Sequence, residues 1–417
     1  MYLLRVLILC LVPLSLFAEL PLEYKNIIKQ HKAPPNSFTF VIKNLSNVSE
    51  KLVAHNEKKL FNPASLVKII STFVAIEELG PQFKWQSDFA HNGTIIGDTL
   101  NGDLIFKGRG DATFSINNLE DSIRKIQRNG LKKINGNLIL DLSYFGFAPK
   151  EKSFDNDPMR AYNVLPSPVV IQSNTMNFVF AMKNKKLTIE SNPNLEQFSI
   201  KNNIKITNDR CIDWKSKLNY QTQQIKLKSE VIFDGKFSRK CGTKTINLSA
   251  LNSNEYFFRI FKKIWNMNGG NFNGSLDTTY INNNNLKVIY RHTSRPLSEI
   301  VRDVNKYSLN LMARNTMLTV LAEDSELLVL ESSVNKYLHD WFDKNSLLHN
   351  GLFIENGAGL SRNSVLTSEQ LLLLMEKIYH NPLMPEMLSS LPISGVDGTL
   401  KRRMNYSTFR KSAHFKT

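Results

Sequence analysis

The chain has 417 residues, of which 42% are hydrophobic and 22% are charged. A chain of this length and composition can bury a core and fill about two or three domains, and its ordinary Gly and Pro content excludes collagen-like and disordered classes. The formal net charge of +16 predicts an anionic partner. Because the sequence has no nucleic-acid recognition motif, a cell-wall polymer or a membrane surface is a more natural partner than DNA or RNA.

The first twenty residues, "MYLLRVLILCLVPLSLFAEL", place one positive charge at Arg5 before an apolar run and a small residue at Ala18. This order is typical of a secretory signal peptide, so we predict that residues 1–18 are removed on export. A retained membrane anchor is the alternative, but the run is shorter than the ~20 apolar residues that a spanning helix needs.

Outside this leader the chain has two cysteines, Cys211 and Cys241, each in a polar segment. An exported protein folds where disulfides persist, so we predict that they pair across 30 residues (241 minus 211). Two unrelated buried thiols are the alternative. No metal site is predicted, because no His lies at ligand spacing from either cysteine and no H-E-x-x-H run occurs.

The stretch "FNPASLVKIISTFVAIEELGPQFKW" opens on Asn-Pro and stops at Gly-Pro, which predicts a helix over residues 64–79. Apolar residues cover nearly all sides of this helix, so it should be buried. Ser65 falls in its first turn, and Lys68 falls one turn later on the same face. Burial lowers the pKa of a lysine, and a neutral amine can accept a serine proton.

The S-x-x-K pattern is weak by itself, because Ser122–Lys125 and Ser333–Lys336 match it too. Both of these pairs lie in polar surroundings and are interpreted as solvent-exposed. For Ser65 alone, a catalytic role and an ordinary serine at a helix start both stay open.

A second motif, Ser308-Leu-Asn310, precedes another apolar helix, and the chain ends "STFRKSAHFKT" on Lys416 and Thr417. The order S-x-x-K, S-x-N, Lys-Thr is that of penicillin-recognising serine enzymes. Ser65 and Ser308 are 243 positions apart (308 minus 65), more than a compact domain with this site needs between them. An insertion of domain size is therefore predicted.

The segment between the two motifs is interpreted as short strands with turns, an all-β pattern that closes at the polar run "INNNNLK". The predicted organisation is a signal peptide (1–18), the first part of a catalytic domain (19–92), inserted β-rich domains (93–282) and the second part of the catalytic domain (283–417).

Over nearly the whole mature chain, the sequence resembles the low-molecular-mass class C penicillin-binding proteins, the D-alanyl-D-alanine carboxypeptidase/endopeptidases of the bacterial periplasm (peptidase family S13). The stretches "SLVK", "SLN", "GDLIFKGRGDATF", "CGTKTINLSALNSNEYFFRIF", "ENGAGLSR" and "GVDGTLKRRM" carry this resemblance. It implies an α+β fold, in which an antiparallel sheet flanked by helices is built from both ends of the chain.

The resemblance implies cleavage of D-Ala-D-Ala, or of the D-Ala-diaminopimelate crosslink, without a cofactor. Ser65 would be the nucleophile, Lys68 its general base and Ser308 a proton relay to the leaving amine. The expected partners are peptidoglycan stem peptides, with β-lactams as covalent inhibitors. A homodimer is a further expectation.

For substrate binding, the resemblance implies that Asn310 binds the substrate amide and that Lys416 with Thr417 holds the terminal carboxylate. Asp155 or Asp157 faces the substrate side chain or simply forms a turn, and Arg362 contacts the stem peptide or braces the fold. Asp397, in "SGVDGTL", is interpreted as a turn or helix-cap residue.

The chain stops before the glycine that would complete a Lys-Thr-Gly strand. We therefore expect a truncated, poorly stable and weakly active protein without its last sheet strands. The alternatives to a peptidase are a non-catalytic wall-binding protein or decayed remnant and, third, a β-lactamase, against which the long insertion argues.

Overall fold

The computed structural model describes residues 21–45, 51–146, 154–225, 228–280, 285–324 and 329–403. The predicted signal peptide, 1–18, and the predicted ligands Lys416 and Thr417 lie outside these ranges. Within them, no helix is long and apolar enough to cross a membrane. Nor do the described side chains include a group of three or more His, Cys, Asp or Glu that could hold a metal ion.

The first flank of the chain forms a hairpin and a buried helix. Its elements are α1 (Leu22–Gln30), β1 (Phe40–Lys43), β2 (Lys51–His55) and α2 (Val67–Leu79). The two strands pair antiparallel. A 3-10 turn, Ala64–Leu66, leads into α2, and every residue from 67 to 76 is buried. The helix predicted over 64–79, and its burial, are confirmed.

The middle of the chain is mostly strand. In order, its elements are β3 (Gln86–His91), β4 (Thr94–Ile96), β5 (Thr99–Asn101), β6 (Leu104–Lys107), α3 (Ile116–Arg128), β7 (Lys133–Ile134), β8 (Leu138–Asp141), β9 (Met176–Lys183), β10 (Lys186–Asn192), β11 (Phe198–Asn202), β12 (Lys205–Thr207), β13 (Leu218–Ile225), β14 (Lys228–Ser238), β15 (Lys244–Leu248), α4 (Ser253–Met267), β16 (Asn271–Phe272), β17 (Leu276–Thr279) and β18 (Lys287–Thr293).

These strands form several small sheets around one core. The largest has the order β17-β8-β6-β3-β18, and a second has the order β16-β7-β5-β4. Farther along the chain, β10-β9-β15 and β11-β14-β12 form two more, with β13 also paired to β14. Cys211 and Cys241 form a disulfide, in which Cys241 belongs to this core and Cys211 packs against it. The largest sheet includes β3, which precedes residue 93, and β18, which follows residue 282. Its hydrogen bonding therefore extends beyond the predicted boundaries of the insertion, 93–282, and those boundaries stay a prediction.

The insertion is β-rich, as predicted, but it is not all-β, because α3 and α4 pack into its core. Ser115 begins α3 with a capping box, and Leu119, Ile123 and Ile126 form a buried stripe at helical spacing. Many polar residues on the other faces obscured this stripe in the sequence. Ser122, interpreted above as solvent-exposed, is buried and donates a hydrogen bond to a carbonyl of its own helix.

The second flank returns to helices: α5 (Leu297–Tyr307), α6 (Asn310–Glu323), α7 (Ser333–Lys344), α8 (Ser368–Tyr379) and α9 (Met384–Ser390). They share one apolar core with α2. Phe73 on α2, for example, meets Trp341 on α7 edge to face, with ring centroids 6.1 Å apart. Both flanks therefore build one unit, and the start of α2 lies against α5 and α6.

Candidate active site

Ser65 lies in the 3-10 turn that begins the buried helix, where its hydroxyl is partly exposed. Asn62 holds Ala64, the residue before Ser65: the Asn62 Oδ1 atom accepts a hydrogen bond from the Ala64 amide at 2.9 Å. The Asn62 Nδ2 atom donates to the Ser361 carbonyl, also at 2.9 Å. Asn62 thus links the turn that presents Ser65 to the segment that contains Ser361.

Lys68 is completely buried one turn into the helix. Its Nζ atom donates to the Ser65 hydroxyl at 3.1 Å and to the Ala358 carbonyl at 2.7 Å. Burial lowers the pKa of Lys68 from 10.5 to about 7, because the charged form loses its hydration. A neutral amine beside Ser65 is therefore accessible near pH 7.

Ser308 ends α5 in a left-handed conformation, with φ of +57° and ψ of +48°. Such a conformation is uncommon for a residue with a side chain. It turns the chain between α5 and α6, and it brings the Ser308 hydroxyl to 2.9 Å from the Ser65 hydroxyl, to which it donates. Ser65, Lys68 and Ser308 therefore form one hydrogen-bonded group, as the sequence motifs predicted for their positions; their catalytic roles stay predictions.

Asn310, the other motif residue, begins α6 and faces the insertion. Its Nδ2 atom donates to the Tyr162 carbonyl at 3.2 Å. In this structure the amide that was predicted to bind substrate therefore contacts the segment that follows residue 153.

Asp155 lies in that segment and is exposed. Its carboxylate accepts hydrogen bonds from the Tyr162 hydroxyl at 2.5 Å and from Asn163 Nδ2 at 2.7 Å. Slight burial raises the pKa of Asp155, but these hydrogen bonds outweigh that effect and lower it overall, so Asp155 is an anion at neutral pH. It also accepts from the Asp157 amide at 3.3 Å, as a turn residue does. The turn interpretation and a place near the site both fit.

Asp157, the other acidic candidate, is engaged elsewhere. Its Oδ2 atom accepts from Arg160 Nε at 2.7 Å and from the Tyr220 hydroxyl at 2.9 Å. Arg362 is exposed and stacks over the Phe154 ring, with its guanidinium carbon 4.3 Å from the ring centroid. This contact joins the second flank to the insertion.

Sequence motifs did not reveal the Ala358 carbonyl, because a backbone atom has no residue type. The glycines of "NGAG" were the available signal. At Gly359, φ is +69°, and an added Cβ would lie 1.8 Å from the Ala64 carbonyl oxygen. Only glycine lets this loop press against the turn that carries the serine.

Asp397 begins a 3-10 turn, as predicted, and it also has a partner that the sequence analysis missed. Lys306 on α5, with 6% of its side chain exposed, donates to Asp397 Oδ2 at 2.5 Å. Partial burial raises the pKa of Asp397, but hydrogen bonds from Lys306 and the Ile393 amide lower it overall. This ion pair lies two residues before Ser308.

A serine hydroxyl, a buried amine of lowered pKa and a second hydroxyl in one chain of hydrogen bonds are the parts of a serine acyl-transfer site that uses lysine as base. The fold and this site define a serine hydrolase of the penicillin-recognising class. Residues 23–417 match the D-Ala-D-Ala carboxypeptidase 3 (S13) family. The chain belongs to that family.

Individual relatives agree. The chain is 27% identical over 390 residues to "Penicillin-sensitive carboxypeptidase A" of Dictyostelium discoideum, covering 87% of this chain and 72% of that protein. It is 23% identical over 368 residues to "D-alanyl-D-alanine carboxypeptidase DacB" of Haemophilus influenzae, covering 87% and 75%. The crystal structure of penicillin binding protein 4 (dacB) from Haemophilus influenzae superposes with a TM-score of 0.79 at 22% identity, covering 94% of this chain and 86% of that one. The α+β fold of a penicillin-recognising serine enzyme is confirmed.

Proposed function

We propose that this chain is a serine DD-peptidase that cleaves D-Ala-D-Ala bonds, or D-Ala-diaminopimelate crosslinks, in peptidoglycan stem peptides and is acylated by β-lactams. The observation that carries the proposal is the buried amine of Lys68, 3.1 Å from the Ser65 hydroxyl, with its pKa lowered to about 7. A base of this pKa matches catalysis near neutral pH.

The reaction has two halves. The Ser65 oxygen attacks the carbonyl carbon of the penultimate D-Ala while its proton passes to the Lys68 amine. The C–N bond breaks, the leaving amine receives a proton by way of the Ser308 hydroxyl, and an acyl-enzyme ester remains. Water then attacks that ester, and the serine recovers its proton as the product carboxylate leaves.

Substrate recognition belongs to the same proposal. Asn310 would bind the substrate amide, and Lys416 with Thr417 would bind the terminal carboxylate, since a cation with a hydroxyl suits that group. The anionic Asp155 suits an amine on the stem-peptide side chain. We also propose a periplasmic location, reached through the predicted signal peptide. The homodimer stays a prediction.

The experiment is intact-mass analysis of the chain after incubation with benzylpenicillin. We expect one adduct per chain, absent from the Ser65→Ala variant. Ser333→Ala is the matched control, because Ser333 also stands three residues before a lysine but lies on α7; this variant should keep the adduct. A folded chain without any adduct would refute the peptidase proposal and favour a non-catalytic wall-binding protein.

Release of D-Ala from a pentapeptide, compared with cleavage of a crosslinked dimer, then separates carboxypeptidase from endopeptidase activity. A chain that acts on neither peptide but hydrolyses penicillin rapidly would be a β-lactamase instead.

A further inference from the structure

The side chain of Asn356 closes a tight turn over residues 356–360. Its Oδ1 atom accepts from the Ala358 amide at 3.0 Å and from the Leu360 amide at 3.3 Å. Its Nδ2 atom donates to the Leu360 carbonyl at 3.0 Å. Asn356 is only 7% exposed, so its polar atoms are satisfied mainly by this turn.

The turn is wedged between the two helices that begin at the site. The Gly357 carbonyl accepts from Ser71 Oγ on α2 at 2.8 Å. An added Cβ at Gly357 would lie 2.6 Å from the Cβ atom of Met317 on α6. The position of the turn is therefore set by α2 and α6, while its internal shape depends on Asn356.

This shape decides where the Ala358 carbonyl points. The carbonyl lies 2.7 Å from the Lys68 Nζ atom, the shorter of the two hydrogen bonds described for that amine. A neutral amine has two N–H bonds and one lone pair. When one N–H is held by a fixed acceptor, rotation about the last side-chain bond is restricted. In the neutral form the 3.1 Å contact with Ser65 then reverses, so that the lone pair accepts the Ser65 proton.

We propose that Asn356 is a positioning residue of this site, which aims the Ala358 carbonyl at the Lys68 amine and thereby directs the lone pair of that amine to the Ser65 proton. The inference rests on the proposed function for its consequence in catalysis. Its structural part, the effect of Asn356 on the state of Lys68, can be measured independently.

The charged side chains that flank this turn in the sequence have partners of their own. Glu355 accepts from the Ser361 hydroxyl and Arg362 stacks on Phe154. On the packed helices α5 and α6, Lys306 pairs with Asp397 and Arg314 pairs with Glu331. The predicted cation Lys416 lies outside the described residues.

The test uses the full chain and the variants Asn356→Ala and Asn356→Asp, each checked for folding by urea unfolding. Asn335→Ala is the matched control. Asn335 Oδ1 also supports this segment, by accepting from the Ile354 amide at 2.9 Å, but it does not hold the Ala358 carbonyl. Two readouts are compared: the titration of Lys68 by NMR of labelled lysine, assigned with Lys68→Arg, and the benzylpenicillin acylation rate from pH 5 to 9.

We expect Asn356→Ala to lower the acylation rate roughly 10- to 100-fold, as small misplacements of catalytic groups do. It should also lower the pKa of Lys68, since the ammonium loses an acceptor. Asn356→Asp keeps the acceptor and adds a negative charge, so the pKa of Lys68 and the acidic limb of the rate profile should move to higher pH. Asn335→Ala should change neither readout.

Unchanged Lys68 titration in both folded Asn356 variants would overturn the inference, as would an Asn335→Ala variant that reproduces the changes of Asn356→Ala. If the wild-type chain forms no adduct, the proposed function fails, but the NMR comparison still decides the effect of Asn356. If the wild type is acylated and both Asn356 variants behave like the wild type, only this inference fails.

Discussion

Replacing Lys68 by methionine should make the stability of the protein depend on pH in a different way. The pKa of Lys68 is 10.5 in an unfolded chain and about 7 in the fold. The unfolded state therefore binds more protons between these values, and the wild type gains stability as pH rises through this interval, by about 1.4 kcal/mol per pH unit. At or below pH 7, the buried amine costs the wild type about 5 kcal/mol.

A methionine side chain at this position would have about the same length and no charge to desolvate, but the substitution also removes favourable contacts. Two hydrogen bonds are lost, worth about 1 kcal/mol each, and the Ala358 carbonyl loses its amine donor, at about 1–3 kcal/mol. At pH 6, Lys68→Met should therefore be more stable than the wild type by about 1 kcal/mol. At pH 9, where less of the protonation cost remains, it should be less stable by roughly 2 kcal/mol.

The assay is urea unfolding of both proteins at pH 6 and pH 9. Lys132→Met serves as the control, because Lys132 is exposed. A free-energy difference between Lys68→Met and the wild type that is the same at both pH values would refute the claim that the fold holds this lysine as a poorly protonated amine. The variant should also fail to form a penicillin adduct at either pH.

Three further outcomes are expected. Asp397→Asn leaves the buried Lys306 without its anion and should cost about 3 kcal/mol in urea unfolding near neutral pH. Since the fold lowers the pKa of Asp397, this stabilising effect should decline in the wild type as pH falls below about 4, and an equal loss at pH 3 would contradict the assignment. Replacing both Cys211 and Cys241 by Ser should lower the free energy of unfolding by about 3–4 kcal/mol and leave penicillin acylation intact. Urea unfolding checks the first outcome, and intact-mass analysis of the penicillin adduct checks the second. Gly359→Ala should abolish the penicillin adduct and destabilise the fold by at least about 2 kcal/mol, since its Cβ has no room; a normal adduct yield would show that the loop can move away.

The parts of the site that were predictable are those with a local signature. Ser65 and Lys68 share one turn of an apolar helix, and apolar patterning is enough to predict that the helix is buried. Ser308 could be selected among several S-x-N patterns only by its order along the chain. Its left-handed backbone was not predictable, because nothing in its own residue type favours that conformation.

The missing parts depend on contacts between distant positions. Lys306 and Asp397 are 91 residues apart, and among 90 charged residues (53 plus 37) no local pattern selects this pair. The helix α3 was missed for a different reason. The apolar residues of its buried stripe are few and are separated along the sequence by polar and charged residues. The neighbouring strands therefore dominated the interpretation of the whole segment.

The contacts of Ser65 and Lys68 join segments that are 243 and 290 residues apart, across an insertion with its own core. Contacts of such long range form late in folding, after the segments between them have closed their loops. Until then Lys68 is solvated and protonated, so Ser65 has no base and does not react with penicillin. Penicillin labelling of this protein would therefore count only molecules that have completed folding, and during refolding its yield should lag behind the recovery of secondary structure.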